Sequence, residues 1–389
     1  MSSIHPFLLV LLASLVLASC GSSVEKLDKP EKISSLSEAR AFDFAENFRL
    51  NYVEGRRYLE VYTAADKRSG SGEDSNAWLS YRLLRDGEEP IEGENNISIP
   101  VKRVVCTSTT HAALFSRLDA RDVIVGMAWP ENLSDSLLRQ AWQAREIQDV
   151  AREMDLNHEV ILDLEPDAVV AFVSSDPGYG DFDKMRDLNL PVLANVEYLE
   201  STPLGQAEWM RFAGILLDQE ERADSLFRLV ADRYLFLADS VAALDHEAPT
   251  VFTGLDWKGV WTVPKGNSFA ATFLADAGAN YLWSDESGTG NLPLDFEAVF
   301  DRAVNADVWL HPGAARSVAE LTERDPRLAN FQAWKESQVW NRDARVLENG
   351  ANDYWESGIV RPDLVLEDLI QILHNPEAPE RLNYYRRLP

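Results

Sequence analysis

A short unit occurs twice in this chain, and the repeat constrains the fold more than any other sequence feature. The copies cover residues 157–172 and 295–312. Each has a Glu, Glu159 or Glu297, at the head of a helical turn, then apolar residues at helical spacing and a strand of β-formers. Two such units predict two similar lobes, each presenting a carboxylate at an equivalent surface position.

Length and charge narrow the class of protein. A chain of 389 residues predicts two domains, or one two-lobed body with extensions. Its formal net charge of −27 argues against binding to nucleic acid and against electrostatic attachment to anionic lipid. Any anionic ligand must therefore be held by a few local cations, because the overall field repels it.

The N-terminus resembles a bacterial lipoprotein signal. Residues 7–17 are an unbroken run of apolar or small residues, too short to span a bilayer, and the run leads directly into the sequence LASCG at residues 17–21. In such signals the cysteine, here Cys20, is lipidated and becomes the mature N-terminus. Residues 2–6 lack the usual basic leader. Cys106 is then the only other cysteine, and its apolar strand predicts a place in the core.

The pattern along the chain predicts an α/β fold with two Rossmann-like lobes joined by one long helix. Strands alternate with helices in both lobes, which predicts parallel sheets. The helical periodicity of the joining segment has an irregularity near residues 217–220. The predicted segments are a signal peptide (1–19), a tether (20–47), a small β extension (48–100), an N-terminal lobe (101–202), a linking helix (203–246), a C-terminal lobe (247–376) and a tail (377–389).

Several segments, in this order, carry a resemblance to a known family. They are the lipoprotein leader, RVVCTSTTHAALF, NHEVILDLEPDAVV, the central helix, VPKGNSF with ADAGAN, and the unit around Glu297. Over residues 101–376 the chain resembles the substrate-binding component of bacterial ABC importers for iron-siderophores, haem and cobalamin. The resemblance implies the periplasmic binding protein fold with a rigid inter-lobe helix. Residues 21–100 have no counterpart in it.

The same resemblance implies a function in capture and delivery, without enzymatic chemistry. The cleft would hold a metal chelate, and the ferric siderophore is the expected ligand because that group is the broadest. Haem and cobalamin are the alternatives, and no intrinsic cofactor is implied. Glu159 and Glu297 would dock onto arginines of a two-fold symmetric permease that works with an ATPase. Taken singly, either Glu would instead complement a helix dipole.

The cellular location that the resemblance implies is the bacterial cell envelope. A monomer would be anchored in the lipid bilayer through Cys20, on the periplasmic side of the inner membrane or on the outer membrane. Nucleic acid is not an expected partner.

Ligand contacts are expected in loops at the C-terminal ends of strands, because open α/β sheets bind ligands there. Aromatic faces suit a flat chelate, and a guanidinium suits its acidic groups. The alternative role of the hydroxyls is to cap the helix near His111, and the alternative role of Arg361 is a salt bridge to Glu356 or Asp363. The residues selected are Thr107, Ser108, Thr109, Trp129, Trp257, Trp261, Tyr354, Trp355 and Arg361.

Two other classes of function are weighed against this interpretation. A zinc- or manganese-binding lipoprotein would use His111, His158 and His311, but no paired HxH spacing supports it. An enzyme would need a nucleophile elbow, a phosphate-binding glycine loop or a CxxC centre, and the sequence contains none of these motifs. The sequence therefore predicts no metal site formed by the protein and no catalytic residues.

Overall fold

The computed structural model describes residues 38–40, 42–63, 77–173, 181–245, 247–376 and 381–389. The predicted signal peptide and Cys20 lie outside these residues. In the part of the chain that is described, no helix combines the length and apolarity needed to cross a membrane.

The N-terminal sheet has five strands. They are β1 (Glu38–Arg40), β2 (Phe48–Val53), β3 (Arg56–Val61), β4 (Leu79–Leu84) and β5 (Asn95–Ser98). They pair in chain order, antiparallel except for the parallel pair β4–β5. Alternate residues of β2 and β3, such as Phe48 and Leu59, are buried and join the hydrophobic core, where Phe48 packs against Trp209 of the linking segment. Since β1 pairs with β2, the sheet includes residues that the sequence assigns to a tether.

The N-terminal lobe alternates strands and helices, as the sequence predicts. Its elements are β6 (Val104–Cys106), α1 (Thr109–Arg117), β7 (Ile124–Met127), α2 (Ser136–Gln143), β8 (Gln148–Asp149), β9 (Ala151–Arg152), β10 (Asp155–Leu156), α3 (His158–Asp163), β11 (Ala168–Phe172), α4 (Phe182–Asp187) and β12 (Val192–Asn195). A parallel sheet runs in the order β12-β11-β6-β7-β8, while β9 and β10 form a hairpin. Cys106 is buried in β6, as predicted, and burial raises the pKa of its thiol.

The linking segment is two helices rather than one, which corrects the single helix predicted over residues 203–246. Helix α5 (Pro203–Leu216) is entirely buried, and α6 (Glu220–Ala242) buries one face. The break falls at the predicted irregularity, where Asp218 adopts a positive φ of 54°. Arg57 of β3 and Arg85, the residue after β4, bind the Asp218 carboxylate at 3.4 and 2.6 Å. These ion pairs fix the elbow between the helices.

The C-terminal lobe repeats the parallel design. Its elements are β13 (Thr250–Thr253), β14 (Asp256–Trp257), β15 (Val260–Pro264), α7 (Phe269–Asp276), β16 (Asn280–Tyr281), β17 (Asn291–Leu294), α8 (Phe296–Ala303), β18 (Val308–Leu310), α9 (Val318–Arg324), α10 (Gln332–Lys335), β19 (Val339–Asn341), α11 (Ser357–Val360), α12 (Pro362–His374) and β20 (Arg386–Arg387). The main sheet runs β16-β13-β18-β19-β20, and only β20 is antiparallel to its neighbour. Strands β14, β15 and β17 form a smaller antiparallel sheet. Because β20 belongs to the main sheet, this lobe extends past residue 376 into the segment predicted as a tail.

Two buried carboxylates fasten the N-terminal sheet to the body. The Glu208 carboxylate accepts backbone N–H groups of Asp43, Phe44 and Ala45 at 3.0, 2.7 and 2.7 Å. The Glu200 carboxylate accepts those of the next two residues, both at 3.0 Å. Such charge-assisted hydrogen bonds are stronger than neutral ones. The segment before β2 is therefore part of the fold.

We expect Glu208→Ala to lower the free energy of unfolding by about 3–5 kcal/mol, because three N–H groups and the Arg211 guanidinium lose a buried partner. Urea denaturation followed by circular dichroism measures the loss. Glu221→Ala, on the exposed face of α6, serves as the control. Equal stability of the two variants would contradict the role given to Glu208.

Candidate functional site between the lobes

A cavity of about 700 Å³ lies between the two lobes, at the carboxyl ends of their parallel strands. The N-terminal lobe contributes Thr109, which follows β6, and Asn132, which follows β7. The rest of the lining comes from the loops after β18 and β19 and from the segment that leads to α11. Those residues are Gly313, Ala314, Arg316, Asn341, Arg342, Asp343, Val346, Asn349, Gly350, Ala351, Asn352 and Trp355.

Arg342 lies on an aromatic platform in this cavity. Its guanidinium carbon is 4.2 Å from the ring centroid of Trp355 and 4.8 Å from that of Tyr354. The two rings meet edge to face, with centroids 4.9 Å apart. Cation–π contact on two sides holds the guanidinium flat and leaves its N–H groups available to a ligand.

The lining of the cavity has more unpaired positive charge than unpaired negative charge. Within the described residues, neither Arg316 nor Arg342 forms an ion pair through its guanidinium. Asp343, in contrast, is neutralised by Arg386 at 2.6 Å. The cavity therefore offers two unpaired positive charges in a chain whose net charge is −27.

Three asparagine side chains organise the loops of the cavity. The side-chain amides of Asn341 and Asn352 donate to the backbone carbonyls of Gly313 and Arg342, both at 2.9 Å. The Asn349 amide crosses to the other lobe and donates to the Glu131 carbonyl at 3.0 Å. These bonds position the loops against one another before any ligand binds.

A second contact between the lobes is formed by Glu356. Its buried carboxylate accepts the backbone N–H groups of Ser134 and Asp135 at 2.6 and 2.7 Å. Burial raises the pKa of Glu356 to about 7, although the two N–H donors act in the opposite direction. The nearby charges of Asp353 and Asp135 also raise it. Glu356 thus ties the C-terminal lobe to the loop that begins α2.

Only two of the nine predicted ligand-contact residues, Thr109 and Trp355, line the cavity. Thr107 is buried, and its hydroxyl accepts the Phe172 N–H at 2.8 Å. Ser108 caps α1 by accepting the N–H of Thr110, which is the alternative role considered from the sequence.

The two tryptophans near β14 and β15 lie away from the lining. Trp257 is 66% exposed on the hairpin, beside Arg324. Trp261 is fully buried, and its indole N–H donates to the Thr253 carbonyl at 2.8 Å. It packs against Phe252 and Trp309 in the core of the lobe. Trp261 is therefore a core residue, because its position in β15 directs the ring inward.

The other predicted residues support the cavity or face elsewhere. Trp129 is half-buried, and its indole donates to the Glu153 carbonyl at 3.0 Å. Tyr354 is buried beneath Arg342. Arg361 forms a bidentate pair with Asp363, both bonds at 2.8 Å, which is its alternative role.

The sequence reasoning missed Arg316 and Arg342. Both follow strands of the parallel sheet, β18 and β19, so the rule that selected Thr107 also applies to them. Arg342 comes directly after β19, and this position is a usable signal in the sequence. The stacking on Trp355 depends on the path of the loop over residues 343–353, which the sequence pattern does not define.

The two repeated units place their carboxylates in matching local structures. Glu159 in α3 and Glu297 in α8 are each the second residue of a helix. Asn157 and Asp295 cap these helices by accepting backbone N–H groups. Both glutamates are exposed, and Glu297 pairs with Arg327 at 3.1 Å.

Each histidine of the metal-ion alternative makes a contact of its own. His111 is buried, its Nδ1 lies 2.9 Å from the Val170 carbonyl, and burial lowers its pKa to about 4. His311 lies 2.7 Å from the Tyr385 hydroxyl, and His158 lies 3.2 Å from Asp181. Among the described residues, no group of three or more His, Cys, Asp or Glu side chains could hold a metal ion.

The family of the chain follows from comparison with known sequences. Residues 104–346 match the family described as "Periplasmic binding protein". The chain therefore belongs to the periplasmic binding protein family, which confirms the resemblance found in the sequence. A relative, an uncharacterized lipoprotein of Methanocaldococcus jannaschii, is 27% identical over 317 residues, covering 76% of this chain and 72% of the relative.

Solved structures confirm the two-lobed fold. A periplasmic haem-binding protein from Pseudomonas aeruginosa is 18% identical, with a TM-score of 0.55, over 73% of this chain and 97% of that protein. A possible iron-binding periplasmic solute-binding protein from Staphylococcus epidermidis is also 18% identical, with a TM-score of 0.53, over 70% and 98% of the two chains. At this level of identity, the likeness establishes the shared fold alone.

Glu356 predicts a pH-dependent stability. The folded state raises its pKa from 4.5 to about 7, so its contribution to stability is present below pH 4.5 and is lost as the pH rises to about 7. The wild-type protein should therefore lose stability relative to Glu356→Gln, by about 2–3 kcal/mol, between pH 5 and pH 8. Urea denaturation of both proteins across this range measures the difference. Parallel pH profiles would show that Glu356 does not titrate in the folded state as described.

Proposed function

We propose that the protein is the lipid-anchored substrate-binding component of an ABC importer. It captures a metal chelate in the cavity between its lobes, foremost a ferric siderophore, and delivers it to the permease. Family membership and the two-lobed fold support this proposal. The observation that carries it is the cavity itself, which combines an aromatic platform with two unpaired guanidinium groups.

The lining of the cavity favours a complete chelate over a bare metal ion. Its described residues include no His, Cys, Met or Tyr side chain. The one carboxylate in the lining, Asp343, is already paired with Arg386. A metal that enters this cavity must therefore bring its own ligands, as the iron of a siderophore does.

The two arginines favour a chelate with acidic groups. The chain as a whole repels anions, so the guanidinium groups of Arg316 and Arg342 must supply the local attraction. A planar guanidinium binds a carboxylate or a catecholate oxygen pair through two N–H groups. Trp355, 43% exposed, adds an apolar face for the rest of the ligand.

Haem is the second candidate. Trp355 offers a flat surface, and two guanidinium groups suit a ligand with two carboxylates. The described lining has no side chain that would bind the haem iron axially, which places haem behind the siderophore. Cobalamin fits the proposal less well, because two unpaired cations are not needed to hold a large ligand of low charge.

The proposal also includes a cellular location and a partner protein. Lipidation of Cys20 would hold the protein in the cell envelope, where a permease and its ATPase receive the ligand. Glu159 and Glu297 would bind basic surfaces of the permease, one from each lobe. Exposed carboxylates of this kind mainly set the rate and register of docking.

For Arg342→Gln we expect the affinity for an acidic ferric chelate to fall by about tenfold or more, because a charge-assisted hydrogen bond is lost. Titrations that follow tryptophan fluorescence, with ferric citrate and a ferric tricatecholate as probes, measure the change. Arg324→Gln, which removes a guanidinium beside Trp257 and outside the lining, is the matched control. Haem and cobalamin are titrated in parallel, and binding of these two alone would overturn the siderophore assignment.

The double variant Glu159→Ala/Glu297→Ala should bind its chelate with wild-type affinity and fail to support uptake. Transport of labelled chelate into vesicles that contain the permease and its ATPase measures the loss. A control variant, Glu146→Ala/Glu323→Ala, removes one exposed carboxylate from each lobe at other positions. Normal uptake by the first variant, or loss of ligand binding in it, would refute the docking role.

A further inference from the structure

A second cavity, of about 460 Å³, lies beside the first. The segment over residues 353–357 separates the two, because Trp355 lines the first cavity while Asp353, Glu356 and Ser357 line the second. Both lobes contribute to its walls, and Leu226 of α6 completes them. It is therefore a second space that spans the lobes, next to the contact formed by Glu356.

Most charges around this cavity are already neutralised by a partner. Arg121 pairs with Asp135 at 2.8 Å, and Arg345 pairs with Asp353 at 3.1 Å. Arg361 binds Asp363 with two hydrogen bonds. On the acidic side, Asp119 pairs with Arg222, and Glu356 accepts two backbone N–H groups. No carboxylate in the lining is left without a donor.

Arg117 is the exception. No ion pair or hydrogen bond involves its guanidinium within the described residues, and its buried Nε has no acceptor. Burial lowers the pKa of Arg117, and the positive charge of Arg361 on the opposite lobe lowers it further, while the negative charges of Asp363 and Asp119 act in the opposite direction. In a chain with 64 acidic and 37 basic residues, a half-buried guanidinium without a carboxylate partner is unexpected.

We propose that this cavity binds a small oxyanion, of the class of inorganic phosphate or sulfate, between Arg117 of the N-terminal lobe and Arg361 of the C-terminal lobe. The anion supplies the acceptor that the Arg117 Nε lacks, and it offsets the repulsion between the two guanidinium groups. Since each arginine belongs to a different lobe, the bound anion also reinforces the contact between Glu356 and Ser134. The site is separate from the cavity proposed for the chelate.

Calorimetric titration with inorganic phosphate, and separately with sulfate, at constant ionic strength in sodium chloride tests the proposal. The wild-type protein is expected to bind one anion saturably at millimolar concentration. Arg117→Gln should weaken binding by about tenfold or more. Arg117→Lys, which keeps the charge but loses the planar fork, should weaken it by a smaller factor and serves if the first variant does not fold.

Two controls locate the anion. Arg228→Gln, which removes an exposed arginine outside the lining, should bind phosphate as the wild-type protein does. Arg342→Gln should also bind phosphate normally, whatever its effect on the chelate. The proposal is overturned if the wild-type protein shows no saturable binding, or if both Arg117 variants bind as the wild-type protein does. Loss of binding in Arg342→Gln also overturns it, because the anion then lies in the other cavity.

Discussion

A buried carboxylate that accepts successive backbone N–H groups is the interaction on which this architecture depends. Glu208 and Glu200 bind the segment before β2 in this way, and Glu356 binds the loop before α2. Asp368 of α12 binds the N–H groups of Asn383, Tyr384 and Tyr385 in the same manner. The contacts of Glu208, Glu200 and Glu356 connect parts of the chain more than 150 residues apart, and those of Asp368 hold the C-terminal segment against α12.

Burying a carboxylate in this way is unfavourable because it removes a charged group from water. Burial raises the pKa of both Glu356 and Asp368, and the N–H donors offset only part of that effect. A carboxylate has several acceptor sites, so one buried group can accept hydrogen bonds from two or three donors and hold them together. A chain with 64 acidic residues can thus use a few of them as internal fasteners, while the others remain in water and give the protein its charge.

Much of the fold could be predicted from local patterns. Alternating strands and helices gave the parallel sheets of both lobes, and the repeated units placed Glu159 and Glu297 at the second position of matching helices. The break near Asp218 was visible as a loss of periodicity. What the pattern did not show was that Arg57 and Arg85, far away in sequence, bind Asp218.

The site was less predictable, and the reasons are physical. Trp261 follows a loop in sequence, yet its strand directs the ring into an aromatic core. The Ser108 hydroxyl is already used by the nearby Thr110 N–H, and the Thr107 hydroxyl by the N–H of Phe172, 65 residues away in β11. The segments over residues 38–40, 42–47 and 381–389 looked like flanking chain because they are short and polar. Their positions in the fold depend on hydrogen bonds to the carboxylates of Glu208, Glu200 and Asp368 and on the pairing of β20 with β19.

The elbow between α5 and α6 has a mechanical consequence. Arg57 of β3 also binds Glu220, the first residue of α6, so Arg57 and Arg85, the residue after β4, hold both sides of the bend. To swing one lobe away from the other about this point, the molecule would have to break a network of partly buried ion pairs. The N-terminal sheet therefore stiffens the linking segment. A ligand would enter the cavity through small movements of its surrounding loops rather than through a large rotation of one lobe.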